Sequence, residues 1–358
     1  MDYFSPSYFN SREKFCSAIQ AANFTHQIHP IQAKGPHSEQ LTIDIGIRRA
    51  ESSERALFIT SGTHGVEGYF GAAVQRAFLS NPILLEMASH YTIVLVHAVN
   101  PYGFAWDRRF NENNIDLNRS FFSPGEDRPE TLKDFHQFEN WLAPPTPPPS
   151  LDLDPFLTEF MELVKQYGLA YLKQVLPVGQ YDYPRCLFYG GNSPSETQII
   201  LATHLAEWAG DAQDITLIDF HTGLGEWGSY KLLASKNADM DEIDRLRNMF
   251  GKDNIEEAKV YDMGEGVSYN ARGTLPAWFK AQFPGRKCYT ATAEFGTYNE
   301  MRVLQSLVAE NRAHFYGDKN GEHAWTRNDL IEMFTPADPD WRAKVIANAE
   351  VILKQALL

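Results

Sequence analysis

Two histidines and one glutamate of this sequence lie directly after short apolar segments. His64 and Glu67 follow the segment 56–61, and His221 follows the segment 215–220. A histidine and a carboxylate three residues apart, in a turn that enters a helix, can point at one ion. The pair alone also fits a glutamate that stabilises the first turn of a helix. Two histidines and one glutamate leave a fourth position open on zinc, so the three residues together predict one zinc ion per chain.

A second group of charged residues follows the apolar segment 91–99. Arg108 and Arg109 come first, and the motif Asp-Leu-Asn-Arg at 116–119 comes next. Buried arginines are costly unless they meet an anion, and the guanidinium fork matches a carboxylate. A loop that is closed by pairs of arginine and aspartate is the structural alternative. Glu294 lies near the end of a further apolar segment, where it is either a base or an edge charge.

Taken in order, these motifs resemble those of the M14 metallocarboxypeptidase superfamily over roughly residues 55–300. That superfamily includes the zinc carboxypeptidases and the aspartoacylase and succinylglutamate desuccinylase branch. The form Gly-Thr-His-Gly-Val-Glu-Gly at 62–68 also resembles a bacterial subgroup of it. The resemblance implies a zinc-dependent hydrolase with a carboxypeptidase-like fold.

The resemblance also implies roles for the residues around the metal. His64, Glu67 and His221 would be the zinc ligands. Asp116 would orient a zinc-bound histidine. Glu294 would be the general base that activates the water.

On the substrate side, the resemblance implies that Asn118 and Arg119 hold a carboxylate of the substrate. Arg109, or else Arg108, would polarise the scissile carbonyl. The tyrosine that closes over substrate in many carboxypeptidases cannot be placed from the motifs. Its candidates are Tyr261, Tyr269 and Tyr298.

The elements that must position these residues follow from hydrophobic periodicity. Residues 41–47 alternate apolar and polar side chains, as a half-buried strand does. The apolar segments 56–61 and 91–99 predict strands that are buried on both faces, with a helix over 66–79 between them. Strand, helix and strand in this order form a βαβ unit, so we expect an α/β fold with a mixed, partly parallel sheet flanked by helices. The other predicted elements are helices over 11–23 and 195–208, strands over 215–220, 230–234 and 289–295, and a helical C-terminal part from residue 299.

The middle of the chain has a different composition. Residues 144–149 include five prolines, which cannot lie inside a helix or a sheet. We interpret 123–195 as an insertion with one helix over 155–172, within a single catalytic domain that spans 1–358. A second domain boundary in this region is the alternative.

Charge and composition exclude several classes of protein. The 358 residues carry a formal net charge of -14, with 43% hydrophobic and 22% charged residues. Nucleic-acid binders usually show a basic stripe, and none is visible here. No apolar segment approaches the roughly 20 residues that cross a bilayer, so no membrane partner is expected. The first residues lack the pattern of a signal peptide, and three widely spaced cysteines fit no disulfide framework, so we expect a cytoplasmic protein.

Three functions are compatible with these residues. The first is hydrolysis of a peptide or amide bond next to a free carboxylate, as in a carboxypeptidase. The second is deacylation of a small N-acyl amino acid, which would need a tighter pocket. The third is a binding protein that keeps the fold without catalysis. The expected partner is therefore a small peptide or an N-acyl amino acid, and the sequence does not indicate an oligomeric state.

Overall fold

The computed structural model of the chain describes residues 2–50, 54–257, 271–317 and 321–358. Within these residues, eight strands form one sheet, in the spatial order β1-β2-β4-β3-β5-β8-β6-β7. The strands are β1 (Thr25–Lys34), β2 (Gln40–Arg48), β3 (Arg55–Ser61), β4 (Thr92–His97), β5 (Asp214–Trp227), β6 (Tyr230–Ala234), β7 (Ile255–Glu256) and β8 (Lys287–Gly296).

The centre of the sheet is parallel and its flanks are largely antiparallel. β3 pairs in parallel with β4 and β5, and β5 pairs in parallel with β8. β2 and β6 pair antiparallel with β4 and β8. The predicted α/β class with a mixed, partly parallel sheet is therefore confirmed. Parallel pairing brings the carboxyl ends of β3, β5 and β8 to one edge of the sheet, where ligand sites of α/β proteins usually lie.

Helices cover both faces of the sheet within the described part of the chain. They are α1 (Tyr8–Ala21), α2 (Gly68–Ser80), α3 (Pro82–Met87), α4 (Pro101–Ala105), α5 (Glu139–Leu142), α6 (Phe156–Tyr167), α7 (Leu169–Val175), α8 (Glu196–Ala209), α9 (Met240–Phe250), α10 (Leu275–Ala281), α11 (Glu300–Tyr316), α12 (Trp325–Phe334) and α13 (Pro339–Ala356). The single helix expected over 155–172 is two helices, because Gly168 adopts φ 83° and ends α6. No helix of the described residues has the length and apolar character needed to cross a membrane.

Alternating side chains of the central strands build one core on each face of the sheet. On β3, Phe58 points to one face, while Leu57 and Ile59 point to the other. Burying an aliphatic or aromatic side chain of this size contributes about 1.5–3 kcal/mol, so the two cores hold the central strands firmly in place.

The segment 123–195 packs on the same face as Phe58. Its side chains Trp141, Phe156 and Leu172 belong to the core cluster that contains Phe58 and residues of β5. The segment is thereby fixed on this face of the sheet. Its description as an insertion in a single domain stays a prediction.

Candidate metal centre and active site

The first part of the site is the turn that leaves β3. Gly65 begins a short 3-10 turn, Gly65–Glu67, which leads into α2. A Cβ atom on Gly65 would lie only 2.1 Å from the carbonyl carbon of Gly103, so this position requires glycine. The N–H groups of Gly65 and Val66 donate to the carbonyl oxygens of Arg109 (3.1 Å) and Arg108 (2.8 Å). The turn that carries His64 and Glu67 is therefore tied to the arginine loop.

The three expected metal ligands lie together and are buried. His64 Nδ1 lies 2.8 Å from Glu67 Oε1, and His221 Nδ1 lies 2.9 Å from Glu67 Oε2. The two Nδ1 atoms are 3.2 Å apart. Bond lengths of about 2.0–2.2 Å in a tetrahedral zinc site put ligand atoms roughly 3.3 Å apart. The separation of the two nitrogens matches this value, while the two contacts of Glu67 are shorter, as for groups in direct contact. The buried two-nitrogen, one-oxygen donor set suits a zinc ion.

A buried carboxylate lies beside Nε2 of each of the two histidines. Nε2 of His64 lies 3.1 Å from Asp116 Oδ1, and Nε2 of His221 lies 2.6 Å from Asp219 Oδ2. With Nδ1 facing the other ligands, the Nε2–H of His221 can donate to Asp219, which fixes the orientation of that ring. Nε2 of His64 lies between Asp116 and Nη2 of Arg109, which is 2.7 Å away. Asp219 also accepts hydrogen bonds from the hydroxyl of Thr60 (2.6 Å).

Asp219 was not singled out from the sequence, although a signal for it exists. It stands two residues before His221 on β5. Residues two apart on a strand lie on the same face. An aspartate at this spacing from a ligand histidine therefore predicts the contact that the structure shows.

Neighbouring positive groups lower the pKa values of two buried carboxylates in the site. Burial would raise the pKa of Glu67, but the charges of His64 and His221 outweigh it and hold that pKa well below its usual range. Burial likewise opposes the charged form of Asp116, yet Arg109 and His64 lower its pKa. Both carboxylates are therefore held in the ionised form that binds cations.

Glu294 reaches the same centre from β8. It is the partner of His221 in the parallel pairing of β5 and β8. Its Oε1 accepts a hydrogen bond from the N–H of Leu224 at 3.1 Å. Burial and the neighbouring Glu67 raise the pKa of Glu294 to about 7. A carboxylate with a pKa in this range can both accept and return a proton near neutral pH.

The space beside Glu294 depends on a glycine. Gly223 has φ +132°, which L side chains rarely adopt. A Cβ atom there would lie 2.9 Å from the ring of Phe334 and 3.9 Å from Oε1 of Glu294. Glycine at this position therefore keeps open the space next to the carboxylate.

The structure separates the roles of the two adjacent arginines. Arg108 points away from the metal ligands, and its Nε donates to Glu310 Oε1 at 2.7 Å. Arg109 donates from Nε to Asp116 Oδ2 at 3.0 Å and from Nη1 to Glu67 Oε1 at 3.4 Å. Of the two, Arg109 is the one beside the candidate metal ligands.

Asn118 and Arg119 lie in the 3-10 turn Leu117–Arg119, which directly follows Asp116. Arg119 is buried, and its Nε and Nη1 donate to the carbonyl oxygens of Pro177 and Asn118, each at 2.8 Å. Asn118 Oδ1 accepts from the N–H of Leu275 at 3.0 Å. Neither is among the described residues that line the cavity beside His64 and Glu67. Their role in binding a substrate carboxylate stays a prediction.

Of the three candidate tyrosines, only Tyr298 lies within the described residues, and its hydroxyl donates to Glu332 at 2.6 Å. Tyr261 and Tyr269 lie outside the described residues. A closing role for any of the three stays a prediction.

A cavity of about 180 Å³, called the central cavity below, opens beside the metal ligands. Its polar end is formed by His64, Glu67, Arg109 and Glu294. The rest of its wall is largely apolar and comes mainly from α6, α7 and α11, with Phe334 of α12. The arrangement can place a bound cation, the proton acceptor Glu294 and the cationic donor Arg109 around one bond of a bound molecule.

The carboxylate of Asp219 is expected to strengthen metal binding. The Asp219→Asn variant keeps the size of the side chain but removes the charge that accepts the His221 N–H. We expect the dissociation constant for zinc to rise about 10–100-fold, as is typical when such a partner is removed. Competition with a chelator measures it. Asp211→Asn, at an exposed position, is the control, and equal affinity in both variants would contradict the assignment.

Comparisons with known proteins give one family and several similar structures. The family model described as Protein of unknown function (DUF2817) matches residues 4–348. No curated protein matches the chain in sequence. Bovine thrombin-activatable fibrinolysis inhibitor, solved with tick carboxypeptidase inhibitor, has a TM-score of 0.46 and 12% identity over 96% of this chain and 98% of that one. A metallo-carboxypeptidase from Pseudomonas aeruginosa has a TM-score of 0.39 and 13% identity over 98% of this chain and 71% of that one.

Proposed function

The chain belongs to the family described as Protein of unknown function (DUF2817), and we propose that it is a zinc-dependent hydrolase that cleaves an amide bond next to a free carboxylate. One observation carries the proposal. His64 and Glu67, which form a buried metal-binding cluster with His221, line one cavity together with Glu294, whose pKa is raised to about 7. A structural ion-pair network would not need a proton acceptor beside an open cavity.

His64, Glu67 and His221 would hold the ion. Zinc, when bound, would supply a Lewis acid and lower the pKa of a bound water to about 7. Glu294 takes the proton of the attacking water on a carboxylate oxygen and passes it to the leaving nitrogen. The N–H of Leu224 donates to Oε1 of Glu294 and so holds the carboxylate in one orientation.

Arg109 would stabilise the negative charge that develops on the carbonyl oxygen of the scissile amide. Its guanidinium is held in place by Asp116 and Glu67, so it needs little reorganisation during the reaction. A fixed cationic donor of this kind typically contributes on the order of 100-fold or more in rate.

Deacylation of N-acyl amino acids is a second candidate, because the wall of the central cavity is largely apolar. It uses the same metal ligands and the same base. The two candidates differ in which side of the scissile bond enters the cavity.

The proposal is tested with zinc-loaded protein and a panel of N-acyl amino acids and peptides that differ at the C-terminus. We expect release of a free amino acid from at least one of them, and loss of that release on addition of a chelator. Full activity in the presence of the chelator would contradict the proposal. A protein that holds zinc but hydrolyses none of the panel would instead support a binding protein.

We also propose that Arg119 and Asn118 bind the free carboxylate of the substrate. If so, amidating this carboxylate should lower kcat/KM by an amount equivalent to about 2–5 kcal/mol, because a buried charge loses its partner. In Arg119→Gln that penalty should largely vanish. The measurement is kcat/KM for free-acid and amidated substrates in both proteins. Equal penalties would show that Arg119 only fixes the loop at Pro177.

A further inference from the structure

We propose that the central cavity binds the acyl group of the substrate, and that this acyl group is a long, uncharged chain. This inference rests on the proposed function and makes it more specific. It favours an N-acyl amino acid with an apolar acyl chain over a peptide whose C-terminal residue enters the cavity.

The first part of the cavity wall comes from the segment 123–195. Phe160 of α6 and Leu172 of α7 face the cavity, followed by Leu176 and Pro177 after α7. Leu172 is fully buried, and Phe160 and Leu176 are nearly so. This segment therefore presents a continuous apolar surface to whatever enters.

The second part of the wall comes from α11 and α12. Val303, Leu304 and Leu307 stand on one side of α11, since positions three and four apart in a helix share a face. Phe334, the last residue of α12, closes the wall next to Gly223. Apolar side chains thus meet the cavity from two sides.

The apolar walls are continuous with the reacting centre. Glu294, Arg109, His64 and Glu67 line the same cavity as Leu172 and Leu304. An amide whose carbonyl oxygen lies at Arg109 would therefore extend one of its two substituents between these walls. An apolar substituent therefore gains affinity with each methylene that it buries.

The charges around the cavity decide which substituent fits. Among the described lining residues the cations are Arg109 and Lys173. Arg109 lies at the polar end of the cavity, where its bonds to Glu67 and Asp116 hold it for the scissile carbonyl, and Lys173 Nζ lies 3.2 Å from Glu300 Oε2 in a pair that is about half exposed. A free carboxylate between the apolar walls would lose its water without gaining a cation, which is costly. The leaving amino acid carries that carboxylate, so the uncharged acyl chain is the part that fits.

The test compares N-octanoyl-, N-acetyl- and N-succinyl-alanine as substrates of the full-length, zinc-loaded protein. One methylene in an apolar pocket changes kcat/KM by about 10-fold or more, so we expect octanoyl to exceed acetyl by at least about 100-fold. Succinyl should be the poorest of the three, because its second carboxylate would enter the apolar region. Equal values for octanoyl and acetyl, or a preference for succinyl, would overturn the inference.

A binding measurement separates this inference from the proposed function. Octanamide and acetamide carry no amino acid, and calorimetry reports their binding whether or not hydrolysis occurs. We expect octanamide to bind with a negative heat-capacity change, the mark of apolar burial, and acetamide not to bind detectably. Octanamide binding without hydrolysis of any acyl-alanine would support the pocket and overturn the proposed function. Absence of octanamide binding, with acetyl-alanine hydrolysed, would overturn the pocket alone.

Two variants of Leu304 test whether the acyl chain binds in the central cavity. Leu304→Asp puts a charge into the wall, and Leu304→Trp fills the space. Both should bring the octanoyl-to-acetyl ratio of kcat/KM toward one and weaken octanamide binding at least about 10-fold. Leu157→Asp, on the exposed side of α6, is the matched control and should keep both values. An unchanged ratio in both Leu304 variants would show that the chain binds elsewhere.

Discussion

Replacing Glu294 with glutamine is expected to leave zinc binding intact and to lower kcat at least about 100-fold, the usual contribution of a general base. The amide is close in size to the carboxylate, and its oxygen can still accept the hydrogen bond from the N–H of Leu224. It cannot take up a proton from water. Glu294 is also not one of the three clustered metal-binding groups, so the ion should remain. The measurement combines kcat for a substrate found in the panel with elemental analysis.

The Glu226→Gln variant is the matched control, because Glu226 is exposed and lies near the end of the neighbouring strand β5. It makes the same chemical change without touching the central cavity and should retain the activity of the unmodified protein. A rate of Glu294→Gln within about threefold of that protein would exclude a general-base role. Loss of zinc in Glu294→Gln would instead place this carboxylate among the metal ligands.

The parts of the fold that sequence could predict are those with strong local patterns. The apolar segments at 56–61 and 91–99 correspond to β3 and β4, because strands buried on both faces are apolar throughout. Strand β1, at Thr25–Lys34, was not predicted. It is an edge strand, contains Pro30, and exposes much of its length, so neither alternation nor an apolar run marks it.

Strand β5 extends further than its apolar segment indicates. It continues past Phe220 to Trp227 because Thr222 and Trp227 still pair with β8. Two glycines at positive φ, Gly223 and Gly225, lie in this extension. Pairing with a strand that is distant in sequence decides such a boundary, and no local pattern reports it.

For the candidate site, strand order explains what could be predicted. His64 follows β3, His221 lies on β5 and Glu294 lies near the end of β8, and the sheet places these three strands side by side. What could not be predicted is the direction of each loop side chain. Arg108 turns toward Glu310, which is 202 residues away, and Arg119 turns toward the carbonyl of Pro177, which is 58 residues away. Contacts at such separations leave no trace in local spacing.

The His64→Ala variant is expected to lose its zinc ion. The variant removes one of three ligands and leaves Glu67 and His221, so zinc should fall from one ion per chain to near zero after dialysis. The loss in affinity should exceed the 10–100-fold that is typical of removing a partner of a ligand. Elemental analysis of the dialysed protein gives the stoichiometry.

The fold should survive this substitution, because the charges around His64 keep other partners. Asp116 still accepts from Nε of Arg109, and Glu67 still accepts from the N–H of Thr222 at 3.2 Å and lies beside His221. No buried carboxylate is left alone, so the large penalty for an unpaired charge does not arise. Circular dichroism should therefore match that of the unmodified protein.

Thermal unfolding then tests the ligand assignment without any substrate. A ligand that binds only the folded state stabilises it by RT ln(1 + [L]/Kd), which is about 4 kcal/mol at a thousandfold excess over Kd. Added zinc should therefore raise the Tm of the unmodified protein by several degrees and leave that of His64→Ala nearly unchanged. His204→Ala, which removes a partly exposed histidine paired with Glu207 on α8, should keep the full zinc-dependent rise. A full rise and full zinc occupancy in His64→Ala would remove His64 from the ligand set, and with it the three-ligand centre on which the proposed hydrolase depends.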